Sequence, residues 1–148
     1  MPDLLRPSCL RLAAFCLGPL LAWPAAAEEP LPIVRGTQGL IEVPFTADNK
    51  GPGGIACSAA LAHWYSLDLG QASPGASVRG TLWYDPKDGS MLLLNALKDH
   101  MPIQALWCGI AARAWTTRAE IALARKTGTA PPPIHVACRP EGEGLSCR

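Results

Sequence analysis

The sequence predicts a mainly β fold, a small disulfide-braced β-sandwich or partly open barrel. Three observations carry this. Residues 78–124 break into short apolar runs, each closed by a turn cluster such as Asp85-Pro86-Lys87-Asp88-Gly89, and runs of that size bounded by Pro and Gly are strands rather than helices. The chain holds 15 prolines and 14 glycines in 148 residues, which leaves little room for a long uninterrupted helix. Its cysteines follow an export-type N-terminus, which makes them candidates for covalent bracing.

The N-terminal residues set the compartment. Arg6 and Arg11 precede an apolar run over 12–23, and Ala25 and Ala27 supply the small residues that signal peptidase reads. Gly18, Pro19 and Pro24 interrupt the run, which is also shorter than the ~20 residues of a membrane-spanning helix. Phe15 before Cys16 is too large for a lipidation signal. The expectation is a signal peptide over 1–27 cleaved after Ala27, a periplasmic or secreted product, and no stable membrane insertion after cleavage. A Pro/Gly-rich N-terminal segment over 28–54 and a single globular β-rich domain over 55–148 follow.

Cys9 and Cys16 leave with the signal peptide; Cys57, Cys108, Cys138 and Cys147 stay. An even number in an oxidising compartment, without a Cys-x-x-Cys spacing, reads as disulfides and not as a metal or redox site. Residues 136–139 and 145–147 flank Pro140-Glu141-Gly142-Glu143-Gly144, a composition suited to a hairpin loop. Pairing those flanks puts Cys138 opposite Cys147, within the ~5.5 Å Cα separation that a disulfide needs. Cys57 then bonds Cys108. Chain entropy assigns about 2.6 kcal/mol to the short loop and about 4 kcal/mol to the long one.

Removing Arg6, Arg11 and Asp3 from the 13 basic and 12 acidic side chains leaves the two signs balanced. No basic run exceeds Arg125-Lys126, so nucleic acid and anionic membrane surfaces are excluded as partners.

In chain order, residues 40–43 predict one short strand, placed at an edge because Pro44 cannot donate to a ladder. Residues 48–54 are a loop, with the Lys ahead of the glycines and no phosphate-loop pattern. Residues 55–69 predict a strand; one short helix, with Cys57, Ala60, Leu61 and Trp64 on a stripe, is the alternative. The absence of a cap and of a polar face weighs against the helix. Pro74-Gly75 marks a turn, and 78–84 alternates with period two. Residues 85–89 turn the chain, and 90–97 continues as a central strand. Residues 103–108 form a third strand, 109–113 a loop, and 115–124 a further strand with Ala119, Ile121 and Leu123 on one side. Residues 126–133 connect in an extended path through three prolines.

Candidate site residues are few. His63, Trp64 and Tyr65 form an aromatic run suited to binding, and Trp83 shares its strand face with Arg79 and Thr81, which points it outward. An exposed Trp is a natural anchor for a protein partner or a sugar ring. Trp107, beside Cys108, resembles an indole packed on a disulfide. No nucleophile, base or metal set assembles in the sequence, and no cofactor motif occurs. The reading is a small exported non-catalytic domain that binds or supports a protein partner in the cell envelope, or another secreted protein. The alternatives are a small hydrolase using His63 or His100 with Asp85, Asp88 or Asp99, and a secreted enzyme inhibitor presenting the 85–89 loop.

Overall fold

The structure, a computed structural model, describes residues 32–148. The signal peptide expected over 1–27, with Cys9 and Cys16, lies outside the described residues. Among the described residues nine strands form: β1 (Ile41–Asn49), β2 (Ile55–Leu61), β3 (Ser66–Ala72), β4 (Ser77–Tyr84), β5 (Met91–Leu94), β6 (His100–Ile110), β7 (Ala119–Glu120), β8 (Ile134–Glu141) and β9 (Gly144–Cys147). Two single 3-10 turns, Ala62–Trp64 and Ala111–Arg113, complete the regular structure of the described residues. The fold is mainly β.

The strands run β3-β2-β6-β5-β4-β1-β8-β9 in one open sheet, with β7 paired to β6 outside that path. All pairings are antiparallel except β1 with β8. β6 is the corner. Its first residues pair with β5, Pro102 opposite Leu92, while the rest pair with β2, Ile103 opposite Leu61. A strand shared in this way carries the sheet from one layer to the other. The ends then face each other: β3 lies against β4, and β9 against β6 and β7. The result is a sandwich that curls toward a barrel without closing.

Side chains with period-two spacing fill the space between the layers. Val43, Phe45 and Ala47 point inward from β1, Ile55, Cys57, Ala59 and Leu61 from β2, and Val78, Leu82 and Tyr84 from β4. Ala56, Ser58 and Ala60 occupy the other face of β2, and the register sets Ser58 opposite Trp107. Their small size leaves room for the indole on that outer face.

Two disulfides brace the layers, Cys57–Cys108 and Cys138–Cys147, each between residues directly opposite in an antiparallel pair. These are the pairings that the hairpin argument selects. Both mark an oxidising, extracytoplasmic environment. Among the described residues no helix is long and apolar enough to cross a membrane.

Four local expectations are corrected. The first strand is not a short edge: β1 is nine residues long and lies between β4 and β8. Pairing with β8 begins at Phe45, one residue past Pro44, so the missing N–H falls where that side of β1 has no neighbour. The 55–69 segment is neither one strand nor a helix. It turns back at Ala62–Trp64 to give β2 and β3, closed by the Leu61 N–H donating to the Tyr65 carbonyl at 2.7 Å. Over 115–124 only Ala119–Glu120 forms a strand, although Ile121 and the partly buried Ala119 and Leu123 pack on the core as the alternation requires. Trp107 does not pack on the disulfide. Successive strand residues face opposite ways, so Cys108 joins the core while Trp107 turns outward, edge-on to Trp115 with ring centroids 5.4 Å apart.

Candidate functional site

The β2–β3 tip holds the most exposed aromatic surface of the described residues. Trp64 ends the 3-10 turn with φ of 66°, a left-handed backbone that bulky residues rarely adopt. Nothing covers its indole, which is 103% exposed, and Tyr65 beside it is 71% exposed. His63 is the middle residue of the same turn. Leu67 on β3 extends the apolar surface. No glycine or proline makes this turn; the chain reverses on Ala-His-Trp itself, which raises the indole away from the sheet.

Trp83 lies elsewhere. It sits on β4 between Glu42 of β1 and Leu92 of β5 and is half-buried on the outer face. Among the described residues the aromatic rings in contact are Trp107 and Trp115, so Trp83 forms no stacked surface with Trp64 or Tyr65. The Trp107–Trp115 pair carries a cation as well: the Arg118 guanidinium lies 4.0 Å from the Trp115 ring centroid, and its Nη1 donates to the Trp115 carbonyl. Trp115 remains 61% exposed.

The histidine–carboxylate pairs expected from sequence are drawn into local structure. Asp99 accepts from Arg35 Nε and from Asn95 Nδ2, and these two hold its carboxyl below the usual range, Asn95 more than Arg35. His100 Nε2 lies 2.7 Å from the Gly36 carbonyl, not toward Asp99. Asp85 accepts from the Lys87 N–H, and Asp88 from the Ser90 N–H. Both carboxylates therefore organise the hairpin turn. The Ser90 hydroxyl and N–H lower the Asp88 pKa.

One cluster had no signal in the sequence. At the C-terminal end of β1, Asp48 Oδ1 accepts from the Ser77 hydroxyl at 2.7 Å, His135 Nε2 lies 3.1 Å from Oδ2, and Lys50 Nζ is 3.2 Å from the same oxygen. Ser77, His135 and Lys50, in that order, hold the carboxyl well below the usual carboxylate range. The residue types match a hydrolytic triad and the order does not. In a triad the imidazole stands between hydroxyl and carboxylate and takes the serine proton. Here the carboxylate stands between, and so weak a base leaves the hydroxyl unactivated. Ser77, Asp48 and His135 come from three strands adjacent in space and distant in sequence, so no spacing foretells them.

A cleft of about 200 Å³ opens beside Asn49, Gly51, Gly53, Ile55, Ile110 and Leu145, below the roughly 300–1,000 Å³ of small-molecule pockets. The sulfurs of Cys108, Cys138 and Cys147 lie within 4.8 Å of one another, but all three are spent in disulfides. No protein-family model matches this chain, no curated protein matches its sequence, and no solved structure matches its fold.

Proposed function

We propose that this chain is exported through a cleaved signal peptide over 1–27 and acts in the periplasm or outside the cell as a non-catalytic docking domain for an envelope protein, with Trp64 and Tyr65 as its anchor. The observation that carries this reading is Trp64 itself, a fully exposed indole on a left-handed backbone at a hairpin tip. A bulky side chain in that conformation costs about 1 kcal/mol or more, and burial against the chain's own core does not offset it. Tryptophan and tyrosine on a rigid support are the residues that most often dominate an interface. The balanced charge agrees with recognition by shape and apolar contact rather than by long-range steering.

The test places a photocrosslinking amino acid at position 64 in cells that express the full chain. A discrete protein adduct at 64, absent from a probe at the exposed Lys126, is the expected result. With the partner identified, Trp64→Gly should weaken its binding about 30-fold or more, as loss of an anchor does. The same substitution relieves the left-handed backbone, so the melting temperature should hold or rise. A partner that binds Trp64→Gly and Tyr65→Ala as tightly as the native chain would sink the reading.

A further inference from the structure

Two independent staples do not require the crowding that the four cysteines show. Cys57 and Cys108 face each other across β2 and β6, and Cys138 and Cys147 across β8 and β9. Because β9 lies against β6, the Cys108, Cys138 and Cys147 sulfurs fall within 4.8 Å of one another. Cys57, Cys108 and Cys138 are fully buried, whereas Cys147 on β9 is partly open to solvent. A thiolate from outside therefore meets the cluster at Cys147, and the sulfur it displaces is next to the second disulfide.

We propose that the cluster is a thiol–disulfide exchange relay, in which attack at the surface rearranges the buried bond. A thiolate of an external dithiol attacks Cys147 Sγ, forming a mixed disulfide and releasing Cys138 as a thiolate. Cys138 then attacks Cys108 Sγ; the Cys138–Cys108 bond forms, the Cys57–Cys108 bond breaks, and Cys57 leaves as a thiolate that water protonates. The second thiol of the dithiol resolves the mixed disulfide, so the reductant departs oxidised and Cys147 is free. Two electrons and two protons have entered the chain. The surviving bond joins β6 to β8, and the exchange has carried a surface reduction to Cys57 in β2. Exchange of this kind depends on the attacking thiolate reaching a disulfide sulfur, and the packing of β9 on β6 supplies that reach.

Cys147→Ser isolates the internal step, because it leaves Cys138 as a thiol beside Cys108 with no reductant needed. The variant is held folded at about pH 8.5, where a free cysteine is about half thiolate, then acid-quenched, alkylated and mapped by peptide mass. Cys108–Cys138 peptides with alkylated Cys57 are expected in amounts comparable to the native Cys57–Cys108 pair, since two similar disulfides exchange without a strong bias. A map in which Cys57–Cys108 persists alone, with Cys138 fully alkylated, overturns the relay. Should Cys147→Ser not fold, the native chain under limiting dithiothreitol serves the same purpose. Cys108–Cys138 must then stand level with Cys57–Cys108 among one-disulfide species in the folded protein and lose that standing in denaturant. An unchanged share in denaturant would remove folded proximity as the cause.

Discussion

Asn49 is the polar side chain on which the most neighbouring backbone depends. It closes β1, is fully buried, and spends every side-chain hydrogen bond on main chain. Its Nδ2 donates to the Gly53 carbonyl at 2.8 Å and to the Ala72 carbonyl at 3.0 Å, while Oδ1 accepts from the Gly51 N–H at 3.0 Å. Its own N–H donates to the Ala76 carbonyl, and its carbonyl accepts from the Gly75 N–H. One residue thus fixes both the loop between β1 and β2 and the turn between β3 and β4. Asn49→Ala strands three main-chain partners, and at about 1 kcal/mol for each the urea midpoint should report a loss of about 3 kcal/mol. Asn49→Asp should cost at least as much, because a carboxylate oxygen then faces two carbonyls that need a donor. An Asp variant more stable than the Ala variant would show that the hydrogen bonds do not carry the effect. Tyr84 plays a lesser version of this part, its hydroxyl donating to the Lys126 carbonyl and accepting from the Thr129 N–H to hold the connector before β8.

Among the elements, β6 constrains its sequence most tightly, because it turns the corner between layers and ends against its own following loop. A Cβ on Gly109 would stand 2.1 Å from the Ala114 carbonyl oxygen, with the Ala114 Cα and carbonyl carbon also under 3.0 Å. That loop cannot yield easily. Thr117, buried, accepts from the Ile110 N–H and donates to the Arg113 carbonyl, and its own carbonyl accepts from the Leu145 N–H of β9. Gly109→Ala should therefore cost about 3 kcal/mol, the upper range for overpacking. Gly80→Ala on β4, where the nearest atom is 4.0 Å away, should change stability by less than about 1 kcal/mol. Equal costs at the two sites, measured by urea unfolding, would contradict this account of β6.

Elements closed by neighbouring residues could be read in advance. The β8–β9 hairpin and its disulfide were legible because strand, turn and strand lie within a few residues, and the β4–β5 turn was legible from its Asp, Pro and Gly. The turn at Ala62–Trp64 was not, since no glycine marks the left-handed residue and a tryptophan adopts it instead. Nor was the interior place of β1, because its neighbour β8 is a parallel partner from the far end of the chain, and sequence periodicity is silent on which distant strands meet. The aromatic run at 63–65 could be singled out by composition alone; Ser77, Asp48 and His135 could not, because only the sheet order joins them.

Across the whole molecule the curled sheet has a seam, and Asp48 lies on it. β1 links the antiparallel part of the sheet, through β4, to the parallel pairing with β8 that carries the disulfide hairpin. Asp48 receives one contact from each side: Ser77 from β4 and His135 from β8. The folded carboxyl is held well below its ordinary value of 3.8, so as pH falls past about 4 the unfolded chain takes up a proton that the folded chain refuses. The stability that Asp48 contributes is thus complete above about pH 4 and declines as pH drops toward the depressed folded value. Asp99 and Asp88, also lowered, act in the same direction. Urea midpoints measured from pH 6 to pH 3 should fall for the native chain and fall less steeply for Asp48→Asn, which retains the slope from the other two carboxylates. The two curves should run parallel above pH 5, where the native chain holds its full advantage, and converge below pH 4 as that advantage is lost. Parallel loss down to pH 3 would mean that the seam between β4 and β8 does not depend on this carboxylate.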